Sequence, residues 1–263
     1  MPVVPGASLT ESPASRLATS SLALGGGVLT AALVVIGAYA GSDVAAYAVL
    51  ATGLALAWGW PLLLGLPRPT GTSLVLAAAC LGMAGVVVFS GDDDGMQALS
   101  VVLAGGLVLA FLHQLVRTDG REDLTVSLAG CSFGLVLLAS GMFSAGAAPY
   151  DQGDAAVAVA IGAAALGLLA DAVLPEQHAV EWSWPVSVLL GVLVGLVVGL
   201  VTGDLSLNIL LLTGLVAGFA GAAIRRVLRL LDTDDPAGRL SYGIAAVLST
   251  GVLAYAAQYL INR

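Results

Sequence analysis

PVSVLLGVLVGLVVGLVTGDLSLNILLLTGLVAGFAGAAIRRVLRLL, residues 185–231, is the stretch that decides the fold. Its first arm sets Gly191, Gly195, Gly199 and Gly203 four residues apart, and its second arm carries Gly214, Gly218 and Gly221. On an α-helix that spacing lines the glycines along one slowly drifting stripe, where two backbones can come close. The second arm then meets Arg225, Arg226 and Arg229, charges that enter hydrocarbon only at high cost. The stretch therefore reads as two tightly packed transmembrane helices with a basic collar at the cytoplasmic interface. The stripe can meet its hairpin mate, a second copy of the chain or another membrane protein, and the spacing leaves that choice open.

Composition extends the same conclusion to the whole chain. Of 263 residues, 59% are hydrophobic and 10% charged, and the mean hydropathy is +1.00. Soluble domains carry roughly 25% charge, so a water-soluble fold is excluded. The net charge of −8 comes from acids scattered over loops. With no large basic surface, nucleic acid is not an expected partner; membrane lipid is. Cys80 and Cys131 both fall in apolar segments, where small buried residues are expected rather than a disulfide.

Outward from the hairpin, residues 1–16 are rich in Pro, Ser and Gly and are expected to be a disordered tail, with one helical transmembrane domain over 17–263. Apolar runs follow at 18–40, 44–66, 71–89, 96–116, 124–147 and 155–174, then 185–201, 205–224 and 240–261. Most approach the roughly 20 residues that cross a bilayer core. The expected fold is all-α, a polytopic bundle of about nine spans with short loops, in which sequence neighbours lie antiparallel. Ala38-Tyr39-Ala40 before Gly41 resembles a signal cleavage site, but the apolar run is about twice the length of a signal core, so a retained first helix is expected. Eight of the nine arginines fall in loops on one side, against Asp43, Asp92 to Asp94, Asp151, Asp154 and Asp204 on the other. The positive-inside rule then places the protein in the cell membrane with its amino terminus cytoplasmic and its carboxyl terminus outside.

Motifs that would carry chemistry are sparse. The loop Arg117-Thr118-Asp119-Gly120-Arg121-Glu122-Asp123 resembles the start of the CDP-alcohol phosphotransferase signature, which continues D-G-x-x-A-R. Here Asp123 and Leu124 stand at the last two positions, and the following helix has no acid, so the signature is broken. An Asp-Gly turn with Asp123 or Thr125 capping the next helix is expected instead. Asp171 is an acid near the end of a span, and His113 lies at similar depth; a His113–Asp171 pair across helices would be mechanistically interesting. Glu176, His178 and Glu181 lack the ligand spacings that mark a zinc site, and no metal or cofactor is expected. Trp58-Gly59-Trp60-Pro61 and Trp182-Ser183-Trp184-Pro185 hold all four tryptophans. They read as an interfacial aromatic belt, or more sharply as a paired platform for a lipid headgroup or partner. Thr30, Thr52, Thr213, Ser249 and Thr250 supply hydroxyls at mid-membrane, and Ser249-Thr250-Gly251 is a place where the last helix can loosen.

The stretches AWGWPLLLGLPRPTGT (57–72) and RTDGREDLTVSLAG (117–130) are similar to those in uncharacterised multi-spanning membrane proteins of high-GC actinobacteria. The resemblance implies no particular activity and favours a role in the cell envelope. Three function classes follow. A non-enzymatic scaffold or accessory component is favoured by glycine faces, compact loops and absent catalytic motifs. A small-molecule or lipid transporter is favoured by nine spans and disfavoured by the lack of mid-membrane charge and of inverted repeats. A lipid-modifying enzyme would have to work with Asp171, His113, Arg117 and Arg121 at the inner interface.

The arginine bias makes the topology testable. On intact cells an impermeant thiol reagent should label Asp93→Cys and leave Thr233→Cys unlabelled. Equal labelling of both would remove the nine-span, amino-terminus-inside arrangement.

Overall fold

The computed structural model describes residues 13–90, 92–117, 123–174, 176–203, 207–231 and 233–262, with side-chain detail for all of these except 13–20, 92–95 and 176–180. Among them every regular element is a helix: α1 Pro13–Ala40, α2 Ser42–Leu63, α3 Pro69–Phe89, α4 Asp92–Val116, α5 Leu124–Ala147, α6 Gly153–Val173, α7 Glu176–Thr202, α8 Leu207–Leu228, α9 Pro236–Leu248 and α10 Gly251–Ile261. Counting α9 and α10 as one span, nine among the described residues are long and apolar enough to cross a bilayer. The protein is a multi-pass helical membrane bundle. Most of the expected amino-terminal tail lies outside the described residues, and α1 already begins at Pro13.

Short connections dictate the pairing. Gly41, at φ 123°, turns the chain between α1 and α2, a backbone conformation open to glycine because it has no β-carbon. Consecutive helices then pack in pairs from α1 to α5 and from α6 to α8. The last span joins these two sets: α9 lies against α1 and α2, while α10 lies against α5 and α6. At the centre, α6 presents Ala155, Ala156, Ala160, Ala163 and Ala164, each essentially inaccessible. An alanine-rich helix lets several neighbours approach at once, which matters in lipid, where contact and dispersion rather than water exclusion drive association.

Two boundaries differ from the sequence reading. The seventh span does not start at Pro185; α7 begins at Glu176 and runs through that proline. Proline removes one helical N–H, and near the start of a span the carbonyl it leaves can be met by water or headgroups. The last span is not continuous either. It breaks at Ser249–Thr250, and the break is stitched to its neighbours. Thr250 Oγ1 donates to the Ala160 carbonyl of α6 (3.1 Å), and Ser140 Oγ of α5 donates to the Ser249 carbonyl (3.0 Å) while accepting from Val252 N–H (3.2 Å). Thr30, Thr52 and Thr213 bond back to carbonyls four residues earlier in their own helices.

The choice left open by the glycine stripe is resolved within the chain. Gly191 of α7 and Gly214 of α8 face each other so closely that a β-carbon on either would collide with the other's carbonyl oxygen. A β-carbon on Gly195 would stand 2.5 Å from the Leu210 carbonyl, and one on Gly199 2.6 Å from the Leu207 side chain. Gly218 lies against the Ser187 carbonyl. Gly203 instead ends α7 in the left-handed conformation at φ 69°. At Gly191, Gly195, Gly199, Gly214 and Gly218 the stripe therefore joins α7 to its hairpin mate, while Gly221 faces Ala164 of α6.

Gly191→Ala should lower thermal stability in detergent by about 1–3 kcal/mol, the usual range for overpacking, because the new methyl meets backbone that cannot rotate away. Gly105→Ala on the open face of α4, where a β-carbon meets nothing within 4 Å, and Val197→Leu, at a position 58% exposed, should each shift stability by no more than about 0.5 kcal/mol. Equal effects at all three positions would show that close backbone approach is not what holds the hairpin.

Candidate functional site

The most concentrated polar chemistry among the described residues lies where α6, α7 and α8 meet, at the end of α8 that bears the arginines. In α8, Gly214, Gly218, Gly221 and Arg225 follow one another at helical spacing, so Arg225 shares the face that packs on α7 and α6, and Arg226 turns away. Arg225 is 1% exposed. Its Nε donates to Asp171 Oδ2 of α6 (2.7 Å), its Nη2 to Ser187 Oγ of α7 (2.6 Å), and its Nη1 to the Ala164 carbonyl of α6 (3.5 Å). Ser187 Oγ donates in turn to the Ser183 carbonyl (2.6 Å). Two glycines make room for the guanidinium: a β-carbon on Gly167 would lie 2.7 Å from Nη2, and one on Gly221 3.1 Å from Nη1.

Arg229, one turn further on, donates from Nη2 to the same Asp171 oxygen (2.6 Å). Burial presses its pKa down, but Asp171 and the Tyr242 hydroxyl more than offset that, so it stands above the ordinary arginine value. Tyr242 closes the cluster from α9, donating to the Arg225 carbonyl at 3.5 Å. Asp171, with 8% of its side chain accessible, thus receives two guanidinium groups on one oxygen, while Oδ1 has no hydrogen-bond partner. A buried ion pair repays its desolvation only with good geometry and added hydrogen bonds; here Ser187 and the Ala164 carbonyl supply those. The result is a clasp: one side chain of α8 bonded to both α6 and α7.

The other sequence candidates are dispersed. His113 does not meet Asp171. It sits on α4 with its imidazole against Gly71 of α3, in space a β-carbon would fill, and α4 packs on α3 and α5 whereas α6 packs on α7 and α8. Arg117 forms a second, smaller buried group, donating to Gln114 Oε1 (2.7 Å) and Ser127 Oγ (3.3 Å) and so linking the end of α4 to α5. Arg121 lies outside the described residues, as do the side chains of Glu176 and His178. Asp123 stands at the N-cap of α5 without a side-chain cap bond; its left-handed backbone, φ 51°, departs from the extended geometry that aims a cap at the helix.

Two members of the expected interface are not at a surface. Arg225 belongs to the buried clasp rather than to an exposed collar, and only Arg226 and part of Arg229 are accessible. Trp60 is fully buried, donates from Nε1 to the Gly130 carbonyl of α5 (2.8 Å) and meets the Phe133 ring edge-on at 5.4 Å. Its indole N–H finds a protein acceptor instead of a headgroup. Trp58, Trp182 and Trp184 are 67%, 54% and 49% exposed. The sequence reading missed Ser187 and the Arg225–Asp171 pairing; the helical spacing from Gly218 to Arg225 signals only that Arg225 lies on the packed face of α8.

No family model, curated protein or solved structure matches this chain.

Removing one partner of the clasp leaves a buried charge uncompensated. Asp171→Leu should destabilise the protein in detergent by about 3–5 kcal/mol, and Asp171→Leu combined with Arg225→Leu should recover most of that loss, since apolar replacement of a buried pair is often neutral. Arg226→Ala should leave thermal unfolding unchanged. A double variant as unstable as the single one would mean that the arginine's other bonds, and not its charge partner, hold the three helices.

Proposed function

We propose that this protein is a non-enzymatic scaffold or accessory component of the cell envelope, resident in the cell membrane with its amino terminus cytoplasmic. One observation carries the reading. The residues best equipped for chemistry at membrane depth, Asp171 and Arg225, are buried and bonded to each other across α6, α7 and α8. A group enclosed this way holds helices in place; it does not reach a substrate. The separation of His113 from Asp171 supports the same reading, since a lipid-modifying enzyme is expected to draw on both of them together with the arginines. Partners would then be met through the inner loops and the outer helix faces, since the α7–α8 glycines face each other.

The Asp171→Leu/Arg225→Leu double variant tests this. At normal membrane levels it should keep the cellular phenotype and the set of proteins that copurify in mild detergent. Loss of phenotype at an undiminished level would show that the charges act chemically, and the scaffold reading would fall.

A carrier is the second reading, favoured by the break at Ser249–Thr250, because carriers build sites at interrupted helices. Thr250 is fully buried and bonded to α6, so in a scaffold Thr250→Cys resists water-soluble thiol reagents from both sides of reconstituted vesicles. Labelling from either side would favour the carrier.

A further inference from the structure

Outside the clasp, one feature of the surface has the form of a binding site. α2 and α3 diverge below their connecting loop to leave a groove of about 450 Å³, open along one side. Its floor includes two alanines, Ala57 and Ala77, and its rim carries Leu54, Trp58 and Leu74, which are 37%, 67% and 72% exposed. The sequence makes this shape: small residues stand where the two helices would otherwise fill the gap, and large ones stand on either side. The lining is apolar apart from Thr70 and Ser73, both in the first turns of α3 beside the loop. Arg68, an exposed residue, stands in the chain immediately before Pro69 at this end of the lining.

We infer that this groove holds one acyl chain of a phospholipid, with the lipid's phosphate at the Arg68 end. Length and polarity select that occupant over a partner helix. The lining runs from Leu54 to Leu62 on α2 and from Pro69 to Ala77 on α3, a rise of eight residues on each, or roughly 12 Å at 1.5 Å per residue. That is nearly one leaflet's share, about 15 Å, of the hydrocarbon core, whereas a spanning helix needs contact over twice that depth. Polarity follows the same direction, with hydroxyls and a cation at the loop end and hydrocarbon walls below. Trp58 suits the rim because indole favours the level of the headgroups. This inference goes beyond the scaffold reading and stands independently of it.

Photocrosslinking in native membranes tests it. Leu74→p-benzoylphenylalanine places the probe at the groove, and Phe111→p-benzoylphenylalanine places it on the lipid-facing side of α4 at matched depth, Leu74 five residues from the first residue of α3 and Phe111 five from the last residue of α4, the ends at which Gly71 and His113 meet. After irradiation and delipidation, intact-mass measurement should show a single phospholipid adduct at position 74 with a yield several-fold above that at position 111. Ala77→Leu, which fills the floor, should bring the two yields together; if that variant does not fold, the comparison of 74 with 111 decides alone. Equal yields from the start would mean ordinary surrounding lipid and overturn the inference. So would an adduct at position 74 with another protein or with a second copy of this chain.

Discussion

The distance between helix backbones is the constraint on which the rest of this bundle depends. Hydrocarbon solvates a leucine as well as another leucine does, so helices in a membrane gain little by hiding apolar side chains from their surroundings. What they gain is dispersion from atoms brought into contact, and that gain falls off steeply with a gap of a fraction of an ångström. At Gly191 and Gly214 the two backbones touch directly. The same device recurs where Gly251 lies against the Ser140 carbonyl, fixing α10 on α5. The alanines of α6 extend it to the centre, where one helix serves as a surface for several others.

Close approach also explains where the polar groups sit. Once α6, α7 and α8 are drawn together, a guanidinium between them is cut off from water and must find its partners in the protein. Arg225 does so on two helices at once, in space left by Gly167 and Gly221. The pair and the glycines are therefore one arrangement: without small residues the arginine would not fit, and without Asp171 it would be an unpaired buried charge. The break in the last span follows the same rule, because the Ser249 carbonyl and the Val252 N–H are met by Ser140 and the Val247 carbonyl by Thr250 rather than left in lipid.

The candidate site was only partly legible in the sequence. Asp171 stands out as an acid near a span end, and the arginines after Gly221 stand out as a group. Nothing in the chain pairs Asp171 with Arg225 over His113, because three residues at similar depth on different helices satisfy the same spacing. Only the packing order, α6 on α8 and α4 on α3, distinguishes them. Trp58 and Trp60 make the same point within three residues. They share a motif and a depth, yet the first faces outward and the second donates to a carbonyl of α5.

By itself the sequence determined that this chain is a bundle of about nine spans, because a bilayer sets a minimum length for an apolar run and charges mark the runs' ends. It also determined that α7 and α8 each carry a glycine stripe fit for close backbone approach, while the fold decided that the two stripes meet each other. Tertiary structure alone decided which helix each packed face meets, that Trp60 is inside and Trp58 outside, and that Arg225 bonds to Asp171. The reason lies in the solvent. In water a helix shows its inner face by contrast with a polar outer one; in lipid both faces are apolar, and the contrast that would mark the interior is absent from the sequence.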